Sequence, residues 1–219
     1  MVGAAQLAAR PVGTQGLSGP LLWRGAVACE QAARWLAALA AHDGGSVRLA
    51  DVLDVDAVVA VLEARLQPLL GSHAELIVDQ CWVRRARPPH GWHQDGALQA
   101  QFTPGEALLP LHTCWLALTD CGVDAPGLEW VDIAQPALLQ PSQLTAAAVQ
   151  ARFPPHAFVR PHLQAGDAVF FDGTLLHRTH VTPRMHAGRT SIELRFVEAG
   201  LRPPRLAGLR LRPAFRPNA

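Results

Sequence analysis

His93 and Asp95 stand two residues apart in the run Trp92-His93-Gln94-Asp95-Gly96. On extended backbone, side chains at i and i+2 leave the same face. One imidazole and one carboxylate can therefore aim at a single point, an arrangement suited to a divalent metal. Two ligands from one segment leave a metal too exposed, so a third must come from elsewhere in the chain. The run 166–177, Gly-Asp-Ala-Val-Phe-Phe-Asp-Gly-Thr-Leu-Leu-His, reads as a turn, a buried strand, a second turn and a strand ending on His177. Two imidazoles and one carboxylate on one face of an octahedron form the ligand set of non-haem Fe(II) oxygenases. That count leaves three adjacent positions for a chelating cosubstrate and O2. A lone His-x-Asp recurs by chance, often as a surface turn, so the weight rests on residues farther along the chain.

Arg189 comes twelve residues after His177 (189 − 177) and opens an apolar-rich run, Thr190–Val197. A guanidinium matches a carboxylate with two parallel hydrogen bonds, and the distal carboxylate of 2-oxoglutarate needs such a fixed cation. Taken alone, Arg189 would read as a surface arginine. Thr113, Thr119 and Ser191 offer hydroxyls that could assist it, and the sequence does not choose among them. Gln80 shares a face with Trp82 if their strand is regular. It could touch cosubstrate or substrate, or make a structural hydrogen bond. His180 rivals His177 as third ligand, but three residues along a strand put the two on opposite sides, which favours His177. His90 reads as a rim residue and His112 as a structural histidine. Trp82, Trp92 and Trp115 offer apolar walls, and Arg84, Arg85 and Arg87 offer cations for an acidic substrate; the plainer reading is core tryptophans and a solvated strand edge.

These residues need elements to carry them. Trp35, Leu36, Leu39 and Ala40 have helical spacing within 29–42, with Gly44 and Gly45 as the stop. A second helix is expected from a cap at Asp54 or Asp56 to about Leu70, ending at Gly71, with Val58, Val59, Leu62, Leu66, Leu69 and Leu70 as its apolar stripe. Beyond Gly71 come short β-like runs: 75–85, 113–119, 128–133, 168–171, 174–176 and 190–197. One helix interrupts them, from Gln143 to about Arg152 with Ser142 as cap. Helices followed by many short strands predict a mainly β structure with flanking α-helices, in which a jelly roll hides most strand edges. The chain reads as a single domain over 1–219: a lead-in, a helical part at about 26–71, a β core at about 75–197, and a tail, 201–219, rich in Arg and Pro.

Four segments, WHQDG (92–96), CWLALTD with GLEWV (114–120, 127–131), GDAVFFDGTLLH (166–177) and RTSIELRF (189–196), resemble, in order and rough separation, the phytanoyl-CoA dioxygenase family. The resemblance covers about residues 75–197. It implies a double-stranded β-helix with Fe(II) on His93, Asp95 and His177, and Arg189 on the C5 carboxylate of 2-oxoglutarate, with O2 as the other cosubstrate. Asp95 also matters within the family, because halogenating relatives lack the carboxylate; its presence implies hydroxylation or another oxidation of a small molecule. The chain departs from the family pattern in two places. Arg178-Thr179-His180 replace a common Gly-Ser after the distal histidine, and Asp132-Ile133-Ala134-Gln135 replace a common Pro-Gly-Ser-His stretch.

Composition removes other classes. The 219 residues carry nineteen basic and eighteen acidic side chains, a formal net charge of +1, which gives no reason to expect nucleic-acid or membrane binding. Cys29, Cys81, Cys114 and Cys121 form no CxxC pair, which argues against structural zinc and for reduced thiols. The first thirteen residues lack the pattern of a signal peptide, and no run of about 18 apolar residues occurs. The expectation is a cytoplasmic protein. Two rival readings stay open: a cupin-like metalloenzyme that does not use 2-oxoglutarate, and a non-catalytic β-sandwich binding protein.

Overall fold

A computed structural model describes residues 19–42, 45–71, 74–85, 88–97, 111–198, 200–202, 204 and 206–211. Helix α1 (Cys29–Ala38) runs into a 3-10 turn, Leu39–Ala41, and buries Ala32, Trp35 and Leu39, the three- and four-residue spacing of one helical face. Helix α2 (Val55–Leu70) starts where the Asp54 carboxylate accepts hydrogen bonds from the backbone N–H groups of Asp56 (3.0 Å) and Ala57 (3.3 Å). It buries Val58, Val59, Leu62 and Leu66 and stops at Gly71, whose φ of 71° suits glycine.

Eleven strands are described: β1 (Leu21–Trp23), β2 (Val47–Arg48), β3 (Ala74–Ile77), β4 (Trp82–Arg85), β5 (His112–Ala117), β6 (Gly127–Val131), β7 (Phe158–Val159), β8 (Ala168–Asp172), β9 (His177–His180), β10 (Thr190–Glu198) and β11 (Gly208–Arg210). The larger sheet runs β1-β8-β5-β10-β3-β11, with β4 also on β10 and β2 on β4; the smaller runs β7-β6-β9. Every pairing is antiparallel. The result is a jelly roll, mainly antiparallel β with few helices.

Register decides what each face holds. Across β5, β8 and β10, the set Cys114–Phe170–Leu194 and the set Leu116–Ala168–Ile192 lie side by side. They pack with Trp35, Leu62 and Leu66 of the helices into the main core. The alternate residues face inward: Thr113, Trp115 and Ala117 lie opposite Arg195, Glu193 and Ser191. Trp115, Val169 and Phe171 from this inner face meet Leu128 and Trp130 of β6 to make a second core between the sheets. Among the described residues, no helix is long and apolar enough to cross a membrane.

Several expected elements take a different form. The run 75–85 is two strands broken by a 3-10 turn, Val78–Gln80, so Gln80 and Trp82 do not share one regular strand. The expected strand at 174–176 is a turn, closed by Asp172, whose carboxylate accepts from the Thr174 N–H (2.9 Å) and hydroxyl (2.7 Å). The following strand begins at His177 rather than ending there. The interrupting helix, α3 (Ala146–Arg152), is capped by the Thr145 hydroxyl, while Ser142 falls in a preceding 3-10 turn, Pro141–Leu144. The tail supplies β11, paired to β3, and the lead-in supplies β1, paired to β8. Gly44 and Arg87 lie outside the described residues.

Gly166 offers a direct test of this packing. Its φ is +92°, and a Cβ there would sit 2.2 Å from the Val27 carbonyl oxygen, so Gly166→Ala faces both strain and a backbone clash. Urea unfolding should show Gly166→Ala destabilised by about 2–3 kcal/mol. Gly188→Ala, with open space around its Cβ, should stay within about 0.5 kcal/mol of the unaltered protein.

Candidate metal centre

His93 and Asp95 do not lie on a regular strand. His93 forms an isolated bridge with His177: each backbone N–H donates to the other's carbonyl, at 2.9 and 3.0 Å. Asp95, Gly96 and Ala97 take a 3-10 conformation. Gln94, between them, turns the other way and is buried. Its amide donates to the carbonyls of Thr174 (2.7 Å) and Ala137 (3.3 Å), and its oxygen accepts from the Leu139 N–H (2.6 Å). The loop is thus fastened on both sides, with the Gly96 N–H also donating to the Gly173 carbonyl at 2.8 Å.

The bridge brings the two imidazoles together, with ring centroids 4.2 Å apart. Nε2 of His93 lies 3.6 Å and Nε2 of His177 lies 3.9 Å from Oδ1 of Asp95. The candidate ligand atoms of His93, Asp95 and His177 all fall within 4.8 Å of one another, and they form the single such group among the described residues. Nδ1 of His93 sits 2.7 Å from the Gly91 carbonyl and Nδ1 of His177 sits 3.0 Å from the Leu175 carbonyl. A carbonyl only accepts, so each Nδ1 carries hydrogen, and a neutral ring so held presents its Nε2 lone pair. Backbone carbonyls on the far nitrogen are a usual means of orienting metal-binding histidines. Burial, helped by the nearby His177, pushes the His93 pKa down to about 4, so the ring is neutral and fit to ligate near pH 7.

Asp95 is 1% exposed. Burial alone would raise its pKa, but the Arg195 guanidinium, the two imidazoles and a hydrogen bond from Thr113 outweigh it and hold the carboxyl well below its usual range. The Thr113 hydroxyl donates to Oδ2 at 2.6 Å, and Nη2 of Arg195 donates to Oδ1 at 3.1 Å. Arg195 also donates from Nη1 to the Gln80 carbonyl (3.0 Å) and pairs with Glu193 (3.2 Å), which in turn pairs with Arg84 (2.9 Å). Burial works against the Arg195 charge, but Asp95 and Glu193 outweigh it and raise its pKa further.

Arg189 is 4% exposed and lies in the same cleft as His93, Asp95, His177, Thr113, Trp115, Phe171 and Glu193. Its guanidinium carbon stands 5.4 Å from the centre of the Trp115 ring, and its Nε and Nη1 are buried without a hydrogen-bond partner. An arginine so placed carries its charge against the cost of burial, which lowers its pKa. Ser191, two residues on, has a buried Oγ that is likewise unpartnered. Thr119 is occupied as an acceptor for the Thr190 N–H (3.0 Å).

Other expected site residues lie elsewhere. Gln80 contributes its backbone carbonyl, and its side chain is absent from the cleft lining. Nδ1 of His180 lies 3.6 Å from the buried Glu129 carboxylate, which Arg160 and Arg178 also engage, so it is held apart from the three-residue group. His112 stacks on Phe170, on the core side of β5. Trp92 packs against Phe158 rather than lining the cleft, and Arg85 donates to the carbonyls of Leu39 and His42, whereas Arg84, lying over Trp82 and paired with Glu193, does line the cleft. The residues that sequence reasoning missed are Glu193 and Arg195. Their signal was present: in RTSIELRF, residues 189, 191, 193 and 195 alternate with Thr190 and the apolar Ile192, Leu194 and Phe196, so all four point inward.

No protein-family model matches the chain, and no curated protein matches it by sequence. Solved structures do match its fold. The non-heme alpha-ketoglutarate-dependent epimerase SnoN from nogalamycin biosynthesis is similar over 82% of this chain and 78% of its own, at 18% identity and a TM-score of 0.61. HygX from Streptomyces hygroscopicus, with iron bound, is similar over 82% of both chains at 15% identity and a TM-score of 0.63. The non-heme alpha-ketoglutarate-dependent carbocyclase SnoK is similar over 90% of this chain and 83% of its own, at 16% identity and a TM-score of 0.62. SnoN has been solved with Fe3+ and alpha-ketoglutarate, and HygX with nickel and 2-oxoglutarate.

The His93 environment predicts an acid sensitivity. The unfolded chain takes up this proton near the ordinary histidine value of about 6.5, while the folded chain resists it down to about 4. Stability is therefore fully present above pH 6.5 and falls as pH drops toward 4, by at most about 1.4 kcal/mol per pH unit from this group. Urea midpoints of the protein kept in chelator should decline across that interval. They should decline less in His93→Gln, and equal slopes for the two proteins would contradict the assignment.

Proposed function

We propose that this chain is an Fe(II)- and 2-oxoglutarate-dependent oxygenase, related to the phytanoyl-CoA dioxygenase family, that hydroxylates a small molecule. The observation that carries the reading is one cleft holding both parts of such a site: the His93–Asp95–His177 group, and a buried arginine, Arg189, with unpaired donors facing no protein acceptor. A decayed or incidental metal site does not account for Arg189, because burying an unpaired guanidinium costs several kcal/mol, on the order of the penalty for any uncompensated buried ion. A dicarboxylate does account for it. The same cost disfavours a metalloenzyme that dispenses with 2-oxoglutarate. The matched folds include proteins solved with that molecule, which supports the reading without identifying a substrate.

His93, Asp95 and His177 would hold the iron, which when bound supplies the redox chemistry that couples O2 reduction to decarboxylation of 2-oxoglutarate. The balanced reaction is R–H plus O2 plus 2-oxoglutarate giving R–OH, succinate and CO2. Arg189 would bind the C5 carboxylate through Nε and Nη1. Of the three hydroxyls, Ser191 is the one left to assist, since Thr113 and Thr119 already serve protein partners and the buried Ser191 Oγ has none. Trp115, Leu128 and Phe171 give the cleft apolar walls that exclude water from the reacting groups. Asp95 would supply a carboxylate to the metal where halogenating relatives of the resembled family lack one, which favours hydroxylation over halogen transfer. The whole chain, 1–219, would act as one catalytic domain.

Purified protein given Fe(II) and 2-oxoglutarate should release succinate, and omission of either should abolish the signal. His93→Ala and Asp95→Ala should lower succinate formation by at least about a hundredfold. Arg189→Met should raise the KM for 2-oxoglutarate by roughly ten- to a hundredfold, as loss of a charge-assisted pair worth about 1.5–3 kcal/mol requires. Succinate release that survives Asp95→Ala would overturn the ligand assignment. An unchanged KM in Arg189→Met would favour a site that does not bind 2-oxoglutarate there.

A further inference from the structure

The two oxygens of Asp95 are not equivalent. Oδ1 is the oxygen nearest to both imidazole Nε2 atoms, at 3.6 and 3.9 Å, and it faces Nη2 of Arg195. Oδ2 accepts a short hydrogen bond, 2.6 Å, from the Thr113 hydroxyl. Thr113 is fully buried on the inner face of β5, opposite Arg195 of β10 and Phe171 of β8, so it has little room to turn away. From this we infer that Thr113 is a positioning residue: it withholds Oδ2 so that Asp95 meets a metal through Oδ1 alone. This rests on the proposed iron site. It assigns Thr113 to the carboxylate rather than to 2-oxoglutarate.

The consequence is chemical. A carboxylate can bind a metal through one oxygen or two. A second oxygen from Asp95 would occupy a position that a two-toothed cosubstrate needs, and would add to the ligand field in the resting protein. A hydroxyl hydrogen on Oδ2 opposes that, because it engages that oxygen and fixes it toward Thr113, so turning Oδ2 onto the metal would strain or break a buried, charge-assisted hydrogen bond. Arg195 donates to Oδ1 itself, so that oxygen would meet a metal through its remaining lone pair. Fixed by the Gln80 carbonyl and Glu193, Arg195 keeps the carboxylate plane from rotating. Second-layer partners of this kind commonly set ligand orientation and metal affinity.

The test uses Co(II) as a spectroscopic substitute in the full-length protein, with Thr113→Val, which keeps the shape, and Thr113→Ser, which keeps the hydroxyl. Circular dichroism and urea midpoints report that each is folded. Before any 2-oxoglutarate is added, Thr113→Val should change the visible Co(II) absorption and bind the metal at least as tightly as the unaltered protein. Its affinity for 2-oxoglutarate, measured by calorimetry on the Co(II) form, should fall at least tenfold. Thr113→Ser should restore both readouts. An unaltered Co(II) spectrum together with weakened 2-oxoglutarate binding would mean that Thr113 touches the cosubstrate directly, and the inference would be wrong. It would be wrong too if Thr113→Val changed neither readout, or lowered metal and cosubstrate affinity together, as simple misfolding of the site would. Failure of the oxygenase reading itself is visible separately, in unaltered protein that takes up no metal or no 2-oxoglutarate.

Discussion

A negative charge sits at Asp95 where water hardly reaches, and much of the surrounding architecture serves to keep it there. Taking a carboxylate out of water costs several kcal/mol even after the protein relaxes. Arg195 offsets that cost from one side and Thr113 from another. Arg195 is itself buried, so it needs Glu193 and the Gln80 carbonyl, and Glu193 in turn needs Arg84. The charges alternate along this chain from the rim of the cleft to its floor. A divalent cation on the two imidazoles and Oδ1 would be one more positive neighbour for the same carboxylate.

Strand β10 shows how the sequence serves two needs at once. Ile192, Leu194 and Phe196 belong to the helix-side core, while Ser191, Glu193 and Arg195 face the cleft between the sheets. A one-residue slip would carry guanidinium and carboxylate groups into the core and empty the cleft of its polar groups. The strand is therefore held in register by both faces. His93 and His177 arrive from distant segments, which are joined by the paired backbone hydrogen bonds of these two residues and by those of Gly96 to Gly173 and Thr179 to His90.

Much of this is legible in the residues alone, and the misses have physical causes. Helix α2 can be read closely at both ends because Asp54 and Gly71 are local signals. The strand period places Cys114, Leu116 and Leu118 against Thr113, Trp115 and Ala117. The convergence of His93 and Asp95 is expected from the wrong local structure: an i, i+2 strand predicts it, whereas a bridge and a 3-10 turn, pinned by Gln94, bring the two side chains together. A site role for Gln80 depends on a continuous strand across 75–85; the 3-10 turn there alters its direction. The alternation in RTSIELRF marks Glu193 and Arg195 as inward-facing, but the partner of Arg195 escapes a sequence reading, because Asp95 lies a hundred positions away and becomes its neighbour only in the fold. The Arg and Pro content of the tail suggests a solvated segment, yet Gly208–Arg210 pairs with β3, an edge interaction that composition does not report.

The central claim is that His93, Asp95 and His177 together form one metal site. Anaerobic equilibrium dialysis against Fe(II) tests it most directly, without requiring a substrate or turnover. A shared site predicts one iron retained per chain, falling to background in Asp95→Ala and in His177→Ala while His180→Ala keeps its iron. Iron retained at full stoichiometry in Asp95→Ala and His177→Ala, or lost only in His180→Ala, would contradict it.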